Sequence, residues 1–297
     1  MSLNFLKLIR RYAENEMYAF FIGFFCALVG ITTAYLLFPE NVGMVSVFFT
    51  SLALLPFWDN IIRACSIRKG AHEKLISRSG VQMTEIKMKS LKHKINLVEI
   101  IFEHRPVFKA YIFSFIGVFF VYTILQMLLP VFDIHSIFAD QLSLLKVNPA
   151  VMSGGDKFLA ILSNNITVLF ICFLIALVFR SGVFIIAWNA SVWGVVFGAV
   201  MSESGVLLQE NSFLLFGLVI IGIAPHMILE AFSYICGAIS GSLLFESIYK
   251  KMKPETFNLY VNDALLVLIF GLLILVIAAA IEIYFAFPIV QSVLGIN

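Results

Sequence analysis

Apolar residues fall in long blocks divided by short polar punctuation, unlike the two-residue alternation of a half-buried strand or the one-sided stripe of a soluble helix. Met17–Phe38, Val42–Trp58, Val107–Leu129, Lys157–Phe179, Val183–Met201 and Asp263–Phe287 each lie near the ~20 residues that an α-helix needs to cross a bilayer core. Pro39-Glu40-Asn41 turns the chain after the first block, Pro56 and Asp59 close the second, Pro130 closes the third and Pro288 the last. The first two blocks predict a tight hairpin. Residues 3–14 mix apolar and basic positions ahead of it and predict a short interfacial helix. The first block is of spanning length and lacks a small-residue cleavage site, so it reads as a retained helix and not as a signal peptide.

The long polar segment, 60–105, has Leu91, Ile95, Val98 and Phe102 at helical spacing, which predicts an amphipathic helix in its second half. Residues 60–109 hold eleven of the chain's twenty Lys and Arg residues. With the N-terminus placed in the cytoplasm, the inner segments hold eighteen of the twenty, and the outer loops hold only Lys146 and Lys157 against six acids. Basic residues gather on the cytoplasmic side, so the expected orientation is N-terminus cytoplasmic and C-terminus extracytoplasmic.

That count also requires residues 212–249 to cross an odd number of times. The stretch is long for one straight helix and short for three. A re-entrant half-helix, Phe213–Ile223, about 16 Å long, is expected to reverse at the break marked by Gly222 and Pro225. Pro225 suits the first turn of a following helix, His226–Tyr249, because the amide it lacks is unpaired there. The expected fold class is an all-α polytopic membrane protein with about six full transmembrane helices plus this re-entrant half-helix. Its parts are an N-terminal helix and hairpin (1–59), a cytoplasmic basic helical loop (60–105) and a membrane domain (106–297) with the broken helix at 213–249.

Composition agrees. With 61% hydrophobic and 13% charged residues, the chain carries about half the charge of an average soluble domain. Cys26, Cys65, Cys172 and Cys236 are scattered without CxxC spacing and read as packing residues.

Polar residues inside the apolar blocks are the candidates for chemistry, because they are costly in lipid. They are Asn164, Asn165, Asn189, His226, Glu230 and Glu282. His226 and Glu230, four residues apart, share one helix face. The bland reading is one buried hydrogen-bond cluster holding the broken helix; the sharper one is a proton or ion relay or a substrate site. One histidine with two glutamates is thin for zinc and no HExxH is present, so no metal site and no cofactor are assigned. Gly194 with Gly198 and Gly237 with Gly241 are GxxxG patterns that bring helices close, within the chain or between subunits. No GxSxG, Walker A or nucleic-acid signature occurs.

Phe21-Ile22-Gly23-Phe24-Phe25, the Phe38-Pro39 turn, Leu54-Leu55-Pro56, Glu103-His104 before the Val107–Gly117 run, Asn164-Asn165, Asn189 with Gly194, Pro225-His226-x-x-x-Glu230 with Gly237, and Ala279-Ala280-Ile281-Glu282 before Pro288 together resemble the stage II sporulation protein M family, in its longer archaeal-type form. Met227 stands where that pattern has glycine, and the interval from Glu282 to Pro288 is one residue longer. The resemblance implies a polytopic membrane protein of the cell membrane; the sporulation member assembles with peptidoglycan-degrading partners during engulfment. The expectation is a non-enzymatic scaffold in membrane or envelope remodelling. Its expected partners are the lipid bilayer, further copies of itself or other membrane proteins, and a cytoplasmic partner at 60–105, with no nucleic acid. The alternative is a transporter or channel with a midplane site at His226 and Glu230.

Overall fold

The computed structural model describes residues 15–78, 97, 101, 104–129, 137–143, 154–203, 212–252 and 254–289. The interfacial helix expected at 3–14 and the amphipathic helix expected late in 60–105 lie outside the described residues. Among those described, the regular elements are all helical. We label them α1 (Glu16–Leu37), α2 (Val42–Arg78), α3 (Arg105–Leu128), α4 (Ala139–Ser143), α5 (Gly154–Phe179), α6 (Val183–Glu203), α7 (Ser212–Tyr249) and α8 (Pro254–Ile281). A π-helical turn, Glu282–Ala286, continues α8. Among the described residues, six helices are long and apolar enough to cross a membrane, and α6 contributes a shorter apolar stretch, Val183–Ala199. The protein is an all-α polytopic membrane protein.

Two expectations about proline are overturned. Residues 212–249 form one helix with Pro225 inside it, so the reversal at Gly222–Pro225 and the re-entrant half-helix are absent. A proline inside a helix removes one hydrogen bond and crowds the preceding turn, a cost of about 3 kcal/mol. A loop at that depth strands several backbone groups, each costing several kcal/mol in hydrocarbon. Continuing the helix is the cheaper solution. At ~1.5 Å per residue, a helix of 38 residues is longer than the membrane core requires; its spanning stretch is Ile220–Tyr249, and one crossing meets the odd-number requirement. Likewise α2 does not stop at Pro56 but runs on to Arg78, with Asn60 Nδ2 donating to the Pro56 carbonyl at 2.8 Å.

The helices pack as two groups. In the first, α1 lies on α2 and α3, and α6 lies on α3 and α2. The buried face of α1 is Ala19, Gly23, Ala27, Gly30, Ile31 and Ala34. These small residues at helical spacing let backbones meet. A side chain at Gly23 collides with the backbone of Ser114, and one at Gly117 with that of Phe20. One end of the group is closed by α4: Asp140 Oδ2 accepts from the Met44 amide at 3.0 Å, and buried Gln141 donates to the Gly43 carbonyl at 3.1 Å. Asp140 thus supplies a carboxylate to the first turn of α2, where amides are unpaired.

The second group is α5, α7 and α8, each packed on the other two. Ser233 and Ser240, two turns apart on α7, donate to the carbonyls of Gly271 and Ala264 on α8, both at 2.7 Å. Another face of α7 meets α5 through Gly237 and Gly241.

Candidate functional site

At the centre of the second group, three helices bring polar side chains together. The α5 residue Asn165 donates through Nδ2 to Glu230 Oε1 at 2.6 Å and accepts from the Tyr234 hydroxyl at 3.0 Å. From α8, the Glu282 carboxyl comes within hydrogen-bonding reach of Glu230. Asn165 lies nine residues after Asp156, about 13 Å further along the helix, so the cluster sits deep between the ends of its spans. Asn165, Glu230 and Tyr234 are all buried.

Local sequence explains the convergence. His226, Glu230 and Tyr234 follow one another at four-residue steps, so they line one face of α7. His226 is 3% exposed, and the Trp193 ring from α6 meets it edge-on at 5.4 Å. Its Nδ1 makes no well-formed hydrogen bond, although the ring lies within reach of the Gly222 carbonyl one turn earlier. Glu282 opens the π turn, in which the Phe287 amide bonds the Glu282 carbonyl.

The remaining candidates divide. Asn164 is at the edge of the cluster, donating to Asn165 Oδ1 at 3.4 Å. Asn189 stays outside it, its side-chain amide donating to the Ile185 carbonyl of its own helix at 2.8 Å. Both GxxxG pairs lie at contacts within the chain. A Cβ on Gly194 or Gly198 comes within 2.7 Å of the carbonyls of Phe119 or Thr123 on α3; on α7, one at Gly237 comes within 2.8 Å of the Leu169 carbonyl of α5 and one at Gly241 collides with that of Phe173. Among the described residues, no three His, Cys, Asp or Glu side chains converge as metal ligands do.

Sequence reasoning missed two features. Tyr234 carries a helical-spacing signal from Glu230 but passes as an ordinary aromatic in an apolar run. Arg180 reads as a basic residue at the end of a span. In the fold it is 5% exposed, donates to Asp59 of α2 at 3.0 Å and lies in ion-pair contact with Glu246 of α7 at 2.8 Å. Distant acidic partners give no signal near Arg180 in the chain.

A multi-pass helical bundle with buried carboxyls and amides between its spans defines an integral membrane protein whose polar chemistry lies inside the membrane domain. A family model described as Stage II sporulation protein M matches residues 110–286, more than half of the chain, and the chain belongs to that family. The match runs from α3 through the π turn and takes in the whole buried cluster, while α1 and α2 precede it. No curated protein and no solved structure shows a match.

Proposed function

We propose that this protein is a non-enzymatic scaffold of the cell membrane that assembles with further copies of itself or with other membrane proteins in membrane or envelope remodelling, its N-terminus cytoplasmic and its C-terminus extracytoplasmic. The observation that carries this reading is the closure of the polar cluster on itself. Asn165 is engaged by both Glu230 and Tyr234, and the groups that cost most in lipid serve to hold α5 and α7 together. Interhelical bonds of this kind are worth about 0.6–2 kcal/mol each, enough to fix a rigid platform. Family membership and the gathering of basic residues in 60–109 support the same reading, since a basic juxtamembrane segment suits an acidic protein surface or anionic lipid heads.

In mild detergent, the full chain from native membranes is expected to run as an assembly. Replacing Arg63, Arg68, Lys69, Lys74 and Arg78 by glutamine is expected to release the cytoplasmic partner without unfolding the bundle. A lone monomer with no associated protein sinks this reading.

One observation favours a second reading, a transporter or channel: two carboxyls from different helices meet beside an amide and a phenol deep in the membrane, where ionisable groups commonly mark ion or proton pathways. Liposomes holding the protein are then expected to show a cation or proton flux that Glu230→Gln abolishes. Absence of any flux removes it.

A further inference from the structure

The hydrogen bonds around Glu230 fix which of its neighbours give a proton and which accept one. Asn165 Oδ1 accepts from the Tyr234 hydroxyl at 3.0 Å and from Asn164 Nδ2 at 3.4 Å. Two donors on that oxygen orient the amide, so its other end is the NH2 group, which can only donate. It donates to Glu230 Oε1 at 2.6 Å, shorter than bonds between neutral groups usually are and as expected of an ionised acceptor. Glu230 thus presents negative charge to α5.

Its other neighbour is a second acid. The Glu282 carboxyl comes within hydrogen-bonding reach of Glu230, yet an ionised carboxyl is an acceptor only. Two carboxylates have no hydrogen bond to share, and like charges that close do not both ionise. Two protonated carboxyls fit no better, because the short bond from Asn165 then loses its ionised acceptor. One proton between the two satisfies every contact. No basic side chain takes its place: among the described residues neither carboxyl has Lys, Arg or His at ion-pair distance. Helices α5, α7 and α8 hold one Lys or Arg among them, Lys157. It lies eight residues from Asn165, about 12 Å along the helix, with its ammonium against the Phe287 ring. The other titratable groups here are Tyr234, Cys172 of α5 near that phenol, and His226, one turn before Glu230. His226 is 3% exposed and its Nδ1 makes no well-formed hydrogen bond. A buried imidazole able to receive or return a proton therefore stands on the same face of α7 as the acid pair.

We propose that Glu230 and Glu282 form a buried proton-binding site that holds one proton between them. Asn165, itself held by Tyr234, is its positioning residue, because the amide it aims at Glu230 keeps the remaining negative charge on one side of the pair. The contact between α7 and α8 at this point exists only while the proton is bound. The inference rests on neither the scaffold nor the transport reading; under the latter it names the proton as what the site carries.

Infrared spectroscopy on the full chain at neutral pH tests it, in nanodiscs of ether-linked lipid, which has no ester carbonyl to hide the stretch of a protonated carboxyl. The unaltered protein is expected to show that stretch. Glu282→Gln is expected to abolish it, because the new amide donates to Glu230 where the proton did and leaves it fully ionised. No such stretch in the unaltered protein overturns the site, and so does a stretch that Glu282→Gln halves or leaves unchanged. Where that variant does not accumulate folded, solid-state NMR on the unaltered chain with isotopically labelled glutamate serves. Two carboxyl carbons in contact, whose shifts together account for one proton, support the site; a total of none or two overturns it. Flux through liposomes is read separately: its absence removes the transport reading and leaves the bound proton standing.

Discussion

The two helix groups solve the same problem by different means. Lipid tails offer no hydrophobic drive for one helix to leave them for another, so close packing and hydrogen bonds must supply the association. The first group relies on contact. Its helices cross at Gly23 and Gly117 with backbone against backbone, and several of its hydroxyls turn back on their own helix: Ser114 bonds the Ala110 carbonyl, Thr50 that of Ser46 and Ser51 that of Val47. Among the described residues, bonds between its long helices are fewer, such as Ser46 of α2 with Tyr122 of α3 and Lys109 of α3 with Glu16 of α1; the second group sets such bonds along its central helix, with Ser233 and Ser240 reaching α8 and Asn165 reaching α7. A group joined by contact tolerates little change of volume; one joined by polar bonds tolerates little change of chemistry.

The sharpest way to break that comparison is volume in the first group. Gly117→Leu places side-chain atoms into the backbone of α1, where even a Cβ comes within 2.7 Å of the Phe24 amide nitrogen; a loss of about 3 kcal/mol or more is expected, read as reduced folded yield and earlier thermal unfolding in nanodiscs. Next comes chemistry in the second group. Asn165→Leu, nearly equal in size, removes the partner of both Glu230 and Tyr234 and is expected to cost about 2–3 kcal/mol in the same measurement. Ser240→Ala, which deletes one bond to α8, is expected to cost about 1 kcal/mol, whereas Ser114→Ala should cost clearly less. Equal losses for the two serines defeat the distinction between the groups. Smallest of all, Asn189→Ala is expected to change stability by less than about 0.5 kcal/mol, since its amide serves only its own helix.

Much of this was readable from residues alone where the signal was local. Spans of near-uniform apolarity show themselves by length, and Pro39 marks the α1–α2 hairpin because its flanks offer no competing helix. Pro225 and Pro56 misled for a physical reason: a proline's cost is set against the alternative, and inside lipid the alternative of exposed backbone costs more. Spacing places Glu230 on a face with His226 and Tyr234, but nothing in α5 says that Asn165 will face them and Asn189 of α6 will not, because helix rotation depends on the whole bundle. The pairing of Arg180 with Asp59 and Glu246 was hidden for the same reason. Its acids lie 121 positions before it and 66 after it in the chain, joined only by the fold. Phe138 and Gln141 lie in the stretch between two spans, yet both are fully buried, and a buried wedge of a few residues leaves no periodic trace.

One turn of the last helix carries a consequence for evolution by insertion and deletion. The π turn from Glu282 to Ala286 accommodates an extra residue in a helix without displacing what precedes it. Deleting one residue from 283–286 would return this stretch to ordinary α geometry and leave the helix on either side close to its present facing, whereas the same deletion within the α-helical part of α8 would swing everything beyond it by about 100° around the helix axis. Phe287, which lies 4.8 Å from the Lys157 ammonium of α5, and Glu282, beside Glu230, would both keep their places. That segment is thus the point in the last helix where a change of one residue in length is absorbed.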